Sequence, residues 1–212
     1  MTEELHKPVM LSEVISVLNP KEGEAYLDLT AGYGGHADKI LAATRNYKDS
    51  VLVDRDSFAI QFLKGKYESE PIKFVNDDFY SAVLQILECG KTFDIILADF
   101  GVSSPQLDRE ERGFSFSKDG PLDMRMDQTQ SLTAEQIVNH WREKDLAELF
   151  VKYGEEKPGF SKMIAREIVH NRPFHSTKEL AEFIKGKSRF SKTHPATKIF
   201  QAIRIQVNDE LS

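Results

Sequence analysis

Ala25-Tyr26-Leu27-Asp28-Leu29-Thr30-Ala31-Gly32-Tyr33-Gly34-Gly35-His36 runs from an apolar, strand-like stretch through an acid and three closely spaced glycines into the start of a helical stretch. Outward from it, Ser50-Val51-Leu52-Val53-Asp54, Ile72-Lys73-Phe74-Val75-Asn76 and Phe93-Asp94-Ile95-Ile96-Leu97-Ala98-Asp99 repeat the strand character: short, apolar and rich in β-branched residues. Residues 36–43, 57–66 and 79–89, which separate these runs, have the apolar spacing of amphipathic helices. Strand alternating with helix predicts an α/β domain whose parallel sheet is joined by right-handed crossovers. Upstream, residues 10–18 predict a short helix with Ser12 or Asn19 at a boundary.

Downstream the character changes. Residues 100–130 are broken by Gly101, Pro105, Gly113, Gly120 and Pro121, and their aromatics and alternating charges predict an ordered functional loop without regular elements. Residues 133–141, 144–153, 161–170, 177–185 and 196–211 are helical in period. The expected organisation is therefore an α/β domain over 1–130 and a helical subdomain over 131–212. Four parallel strands followed only by helices leave the apolar strand that ends in Asp99 on a sheet edge. The last helical run also reaches the final residues without a cap. The edge predicts either that the helical part covers it or that the chain is incomplete, and the uncapped end favours incompleteness.

Composition narrows the function classes. A chain of 212 residues, 40% of them hydrophobic, buries a core without staples. The single cysteine, Cys89, excludes an intramolecular disulfide and a thiolate metal cluster. Neither a signal-peptide pattern nor an apolar run near the ~18 residues of a membrane span is present, so a soluble, cytoplasmic protein is expected. The formal net charge of −6 argues against nonspecific coating of nucleic acid, while a local basic patch stays open.

The glycines after Asp28 let the backbone turn sharply and approach a ligand, as in any nucleotide-binding first strand–helix unit. Their spacing is G-x-G-G, however, and the acid ahead of them repels a pyrophosphate while attracting an ammonium group. That pattern points away from a nicotinamide dinucleotide and toward S-adenosylmethionine, which carries a cationic amino-acid tail and no phosphate. Asp54, ending the next strand, stands near the ~20-residue offset of an acid that accepts ribose hydroxyls. Asp56 reads instead as a helix N-terminal acid. Asn76-Asp77-Asp78-Phe79 follows the third strand, where a polar group could read an adenine edge while Phe79 packs on the ring; a solvated acid pair is the equal alternative.

Ala98-Asp99-Phe100-Gly101-Val102-Ser103-Ser104-Pro105-Gln106 follows the fourth strand, on the side of an open sheet where ligands bind. Asp99-Phe100-Gly101 resembles a kinase metal triplet, but the chain has no G-x-G-x-x-G-x-V loop and no paired strand lysine. Asp99, Ser103, Ser104 and Pro105 read better as a cradle for a nucleobase amine. Such an amine is a poor nucleophile because its lone pair is delocalised into the ring. Acceptors on its N–H bonds favour the tetrahedral geometry that aims the lone pair at a methyl carbon held in line. A common Ser-Ser-Pro turn is the bland alternative for each residue singly. Methylation at cytosine C5 generally needs a cysteine nucleophile, and Cys89 ends a predicted helix away from the crevice, so transfer to nitrogen fits better.

In the following loop, Arg109, Arg112 and Arg125 interleaved with Phe114 and Phe116 could contact phosphates and stack splayed bases of RNA. Equally, Phe114, Phe116, Met124 and Met126 could pin the loop while its charges pair internally. Lys185-Gly186-Lys187-Ser188-Arg189-Phe190-Ser191-Lys192 is a basic run without an acid, and Lys187 and Arg189 in it are candidates for an RNA-facing patch. His170, His175 and His194 have no mutual metal spacing, and no metal is expected.

Several of these runs closely resemble one family, the bacterial ribosomal RNA small-subunit (cytosine-N4) methyltransferases, or RsmH/MraW family. They are Gly34-Gly35-His36, Gly101-Val102-Ser103-Ser104-Pro105-Gln106-Leu107-Asp108, Arg112-Gly113-Phe114-Ser115-Phe116, Asp119-Gly120-Pro121-Leu122-Asp123-Met124-Arg125-Met126 and Tyr153-Gly154-Glu155-Glu156. The resemblance extends from His6 to Arg204. It implies a Rossmann-like class I methyltransferase fold with a helical insertion, and transfer of a methyl group from S-adenosylmethionine to N4 of a cytosine in 16S rRNA, at the decoding centre. Family cofactor contacts carry over onto Gly34, Gly35, His36, Asp54, Phe79, Asp99 and Gln106. Family members usually continue with further strands, so a noncatalytic cofactor- and RNA-binding relative is the alternative from another class, and the same chemistry on DNA is a third.

Overall fold

A computed structural model describes residues 8–188 and 193–211 of the chain, which divides into two compact units, Met1–Pro105 and Gln106–Ser212. In the first unit β1 (Tyr26–Asp28), β2 (Val51–Asp54), β3 (Lys73–Asn76) and β4 (Ile95–Leu97) form one sheet in the order β3-β2-β1-β4. Every pairing is parallel. The helices α2 (Gly35–Thr44), α3 (Ser57–Lys66) and α4 (Phe79–Glu88) occupy the crossovers, and α1 (Leu11–Leu18) precedes them. This is the expected α/β, Rossmann-like arrangement, and the expected strands and helices of this half appear within a few residues of their anticipated bounds.

Parallel strands are covered on both faces, and alternation along each strand decides which face each residue serves. Tyr26, Leu52 and Ile95 pack on one side with Ile40, Leu41, Ile60 and Leu63 of α2 and α3. Leu27, Val51 and Val53 pack on the other with Ala82 and Ile86 of α4. Two acids start helices by capping orphan N–H groups: Asp56 accepts from Phe58 and Asp78 from Ser81. β4 is an edge strand, as anticipated, and Ile96 in it is 57% exposed.

The short α5 (Ser104–Asp108) and a 3₁₀ turn (Glu110–Arg112) lie in the stretch expected to lack regular elements. The second unit continues with α6 (Ala134–His140), α7 (Glu143–Lys152), α8 (Pro158–His170), α9 (Thr177–Lys187) and α10 (Ala196–Asn208). Its core is built from residues at helical spacing, among them Leu146 and Phe150 of α7, Ile164 and Ile168 of α8, and Ile199, Ala202 and Ile203 of α10. α10 stops at Asn208, earlier than its apolar period suggests, because Asp209 enters the left-handed region (φ 50°) and its N–H closes on the Ile205 carbonyl.

The division at Pro105 falls well before the boundary expected near Gln130. The intervening loop is part of the helical unit because it is hydrogen-bonded to α9 and α10. The Gly120 carbonyl accepts from Thr177 N–H (2.9 Å), and Gln130 Nε2 donates to the Val207 carbonyl (2.7 Å). Asn208 takes the Met126 N–H (2.7 Å) and gives its amide hydrogens to the carbonyls of Met124 (2.7 Å) and Arg204 (3.0 Å).

Candidate functional site

Asp28 closes β1 and is 2% exposed. The Tyr26 hydroxyl donates to its Oδ2 (2.5 Å) and the Thr30 amide to its Oδ1 (3.1 Å). Burial raises its carboxyl to about 6; these two hydrogen bonds oppose the shift and the charge of Asp99 adds to it. A carboxylate this costly to ionise, beside a turn, gains most from a cation brought to it.

In register, Asp28 stands opposite Leu52 of β2 and Leu97 of β4, and Asp54 and Asp99 lie two residues beyond those partners. Three acids thus stand at the carboxyl ends of three adjacent strands. Asp54 Oδ2 accepts the Gly32 amide (2.7 Å) and Oδ1 the Asp56 amide (2.8 Å). Its carboxyl is also raised to about 6, chiefly by burial, with the charges of Asp56 and Asp28 adding to the effect. The group that ends β2 therefore also shapes the glycine turn that follows β1.

At Gly34 the turn has φ +82°, and a Cβ there would lie 2.9 Å from Leu63 Cδ2, so both conformation and space require glycine. Gly35 faces the Pro8 ring, and His36, 8% exposed, has Nε2 3.0 Å from the Val9 carbonyl oxygen. Its imidazole is thus committed to the protein's own backbone.

The stretch after β3 differs from the adenine-reading expectation. Asn76 Nδ2 donates to the carbonyls of Asp54 (2.9 Å) and Arg55 (3.0 Å), Asp77 accepts from Gln85, and Asp78 caps α4. These polar groups fix the ends of β2, β3 and α4. Phe79 is half-buried with its ring edge-on to Phe100 (5.3 Å), and Phe100 is 65% exposed, which leaves an aromatic surface beside the crevice.

Asp99 is exposed, and its amide donates to Thr30 Oγ1 (2.6 Å). Among the described residues its carboxylate makes no hydrogen bond. Ser103 is half-buried and Pro105 buried at the start of α5. The side chain of Ser104 lies outside the described atoms, and Gln106 is 5% exposed in the second unit. Tyr26 and Thr30 were not among the expected site residues. Tyr26 carries a readable signal, since a residue two positions before Asp28 on a strand shares its face.

Two of the expected RNA contacts, Arg112 and Phe114, take the alternative that the sequence left open and pack against the chain's own groups. Arg112 is 3% exposed, with Nη2 donating to the carbonyls of Arg125 (3.0 Å) and Met126 (3.2 Å) and its guanidinium over the Phe114 ring. Phe114 is 6% exposed. A buried guanidinium and ring pin the loop and present nothing to a phosphate or a base. Arg125 grips Asp123 through two hydrogen bonds (2.9 and 2.8 Å) and holds the carbonyls of Gln128 and Gln130. Phe116 is half-buried against His194 and Phe200, and Lys187 pairs with Glu167 (2.7 Å). Arg109 is half-buried at the start of the 3₁₀ turn, and Arg189 lies outside the described residues. Among the described residues no group of three or more His, Cys, Asp or Glu could hold a metal ion, and no helix is long and apolar enough to cross a membrane.

Comparison with known proteins shows what the chain is similar to. A model of the MraW methylase family matches residues 3–212. The Trichodesmium erythraeum protein named ribosomal RNA small subunit methyltransferase H is 47% identical over 214 residues, covering 98% of this chain and 73% of its own. Proteins of the same name from a Nostoc species and a Synechocystis species are 48% and 42% identical. Each alignment covers 97% of this chain, and 68% and 69% of the relative, respectively.

Proposed function

The chain belongs to the MraW methylase family, and from that premise we propose that it uses S-adenosylmethionine to methylate the N4 amine of a cytosine in 16S rRNA, at the decoding centre of the cytoplasmic small ribosomal subunit. The observation that carries this reading is Asp28, a buried carboxyl ahead of a glycine turn and flanked by two further acids. The relatives' names, which specify the small-subunit RNA, support the substrate class. When bound, the sulfonium donor supplies an electrophilic methyl group.

Everything else is the work of the chain's own residues. Asp28 holds the ammonium end of the donor, and Gly34 and Gly35 admit it to the backbone. Each Asp54 oxygen spends one acceptor site on an amide, which leaves capacity for ribose hydroxyls. Phe79 offers a ring for the adenine, and Gln106 and the backbone of His36 complete the cofactor residues that the family resemblance implies. Asp99, with its backbone fixed by Thr30, accepts from the target amine, while the Ser103 to Pro105 segment limits the orientation of the base. Arg109, Phe116, Arg125 and Lys187 are the described candidates for holding RNA.

The test is to incubate the chain with methyl-labelled S-adenosylmethionine and small ribosomal subunits, then identify the modified nucleoside by mass spectrometry. Label on N4 of cytidine is expected. Label on another base, or donor binding without transfer to RNA, would overturn the proposal.

A further inference from the structure

Pro8, Val9 and Met10 lie across the start of α2. A Cβ at Gly35 would stand 3.1 Å from the Pro8 ring atoms, so proline and glycine are in close apposition. One residue on, His36 Nε2 lies 3.0 Å from the Val9 carbonyl oxygen. A carbonyl only accepts, so Nε2 carries the hydrogen. Met10 then adopts a left-handed conformation (φ 52°) and leads into α1. The segment is held through its backbone and the Pro8 ring, while Val9 and Met10 remain 64% and 63% exposed.

That is a light hold at a particular place. Among the described residues, the Pro8 ring against Gly35 and the His36 hydrogen bond to Val9 fasten residues 8–10 to the two residues that complete the Gly34-Gly35-His36 turn. A hydrogen bond of net worth about 1 kcal/mol lets such a segment open and reclose readily. We propose that residues 8–10 are a strap across the glycine turn and that the His36 imidazole is its clasp. His36 is then a positioning residue: it sets how firmly the turn and the donor's amino-acid end are enclosed, without its ring touching the donor. The inference rests on the S-adenosylmethionine reading for its purpose and on the contacts of Pro8 and Val9 with Gly35 and His36 for the clasp itself.

Hydrogen–deuterium exchange of the free chain, paired with calorimetric titration of S-adenosylmethionine, tests both parts. His36→Ala is expected to speed exchange of amides 9–14 about fivefold and to weaken donor binding by a similar factor. His36→Gln, whose amide nitrogen sits near the place of Nε2, is expected to restore both. Pro8→Gly loosens the strap from the opposite side without altering α2 and should behave as His36→Ala does, with exchange in β1 and β2 unchanged. Unaltered exchange of amides 9–14 in both loosening variants would overturn the clasp. Faster exchange with unaltered donor affinity would overturn the positioning role. A wild-type chain that binds no donor would overturn that role together with the donor reading, and the exchange comparison, which needs no donor, separates this failure from failure of the clasp.

Discussion

Asp54 Oδ2 accepts the Gly32 amide at 2.7 Å, which ties the end of β2 to the turn that follows β1 across 22 residues of sequence. Its other oxygen takes the Asp56 amide at 2.8 Å, so a single carboxylate sets the shape of two neighbouring turns. Because the sheet places β1 between β2 and β4, both turns open beside Asp28. A group that binds ribose hydroxyls in this crevice does so with a carboxylate already held rigid by backbone donors, which lowers the ordering cost of binding.

Asp54→Ala therefore has two separable effects. Leaving the Gly32 and Asp56 amides without their acceptor should cost about 1–3 kcal/mol of stability, measured by urea unfolding of the donor-free chain. Loss of the hydroxyl acceptor should weaken S-adenosylmethionine binding at least about tenfold by calorimetry. Asp54→Asn retains one acceptor oxygen and should recover part of the stability with less of the affinity. Wild-type affinity in Asp54→Ala would remove the ribose role.

The carboxyls of Asp28 and Asp54 sit at about 6 in the folded chain against an ordinary value of 3.8. The folded state thus binds these protons more tightly than the unfolded state. The stabilisation that this provides is complete only below about pH 3.8 and is lost as pH rises through about 6. Binding of a cationic donor has the opposite preference, since it favours both ionised forms. Donor affinity should fall on acidification below pH 6, by about tenfold per pH unit for each acid that must ionise. Calorimetry near pH 6 in two buffers of different ionisation enthalpy should register proton release, and Asp28→Asn should remove part of it.

The extent of what could be read from sequence follows the range of the interactions involved. α3 occurs at the bounds that its apolar spacing indicates, Ser57–Lys66, because helix period and an adjacent capping acid are local signals. The parallel sheet followed from the alternation of strands with helices, and the placement of Asp28, Asp54 and Asp99 at strand ends followed with it. Arg112 and Phe114 were ambiguous because an arginine beside an aromatic reads alike whether it faces RNA or a carbonyl. What decides between them is contact with Arg125 and Met126, and behind these Asn208, 82 residues from Met126. Likewise the ring of His36 is taken by Val9, 27 residues upstream, for which no local pattern exists.

Asp99 offers a sharper test of chemistry than of fold. Its carboxylate is exposed and makes no hydrogen bond among the described residues, so Asp99→Ala should leave the melting temperature unchanged. Removing the acceptor for the target amine should lower methyl transfer at least about 100-fold in single-turnover assays. Thr30→Val takes away the hydroxyl that fixes the Asp99 amide and should lower transfer by about tenfold, as a group displaced rather than deleted. Near-normal transfer in Asp99→Ala would place the amine acceptor elsewhere.

Asn208 is fully buried, and three backbone groups depend on its side chain: Met126 N–H and the carbonyls of Met124 and Arg204. The first two belong to the loop that packs with the helical unit, so this amide fastens the loop to the last turn of α10. Asn208→Ala takes this partner from one backbone N–H and two carbonyls, which should cost about 2–4 kcal/mol. Asn208→Asp retains an acceptor but opposes a charged oxygen to the Met124 carbonyl, and should be at least as damaging near neutral pH. Trp141, the single tryptophan, follows α6 in the same unit, and its fluorescence during urea unfolding reports the loss directly. An unchanged midpoint in Asn208→Ala would mean that the buried guanidinium of Arg112, rather than Asn208, sustains the loop.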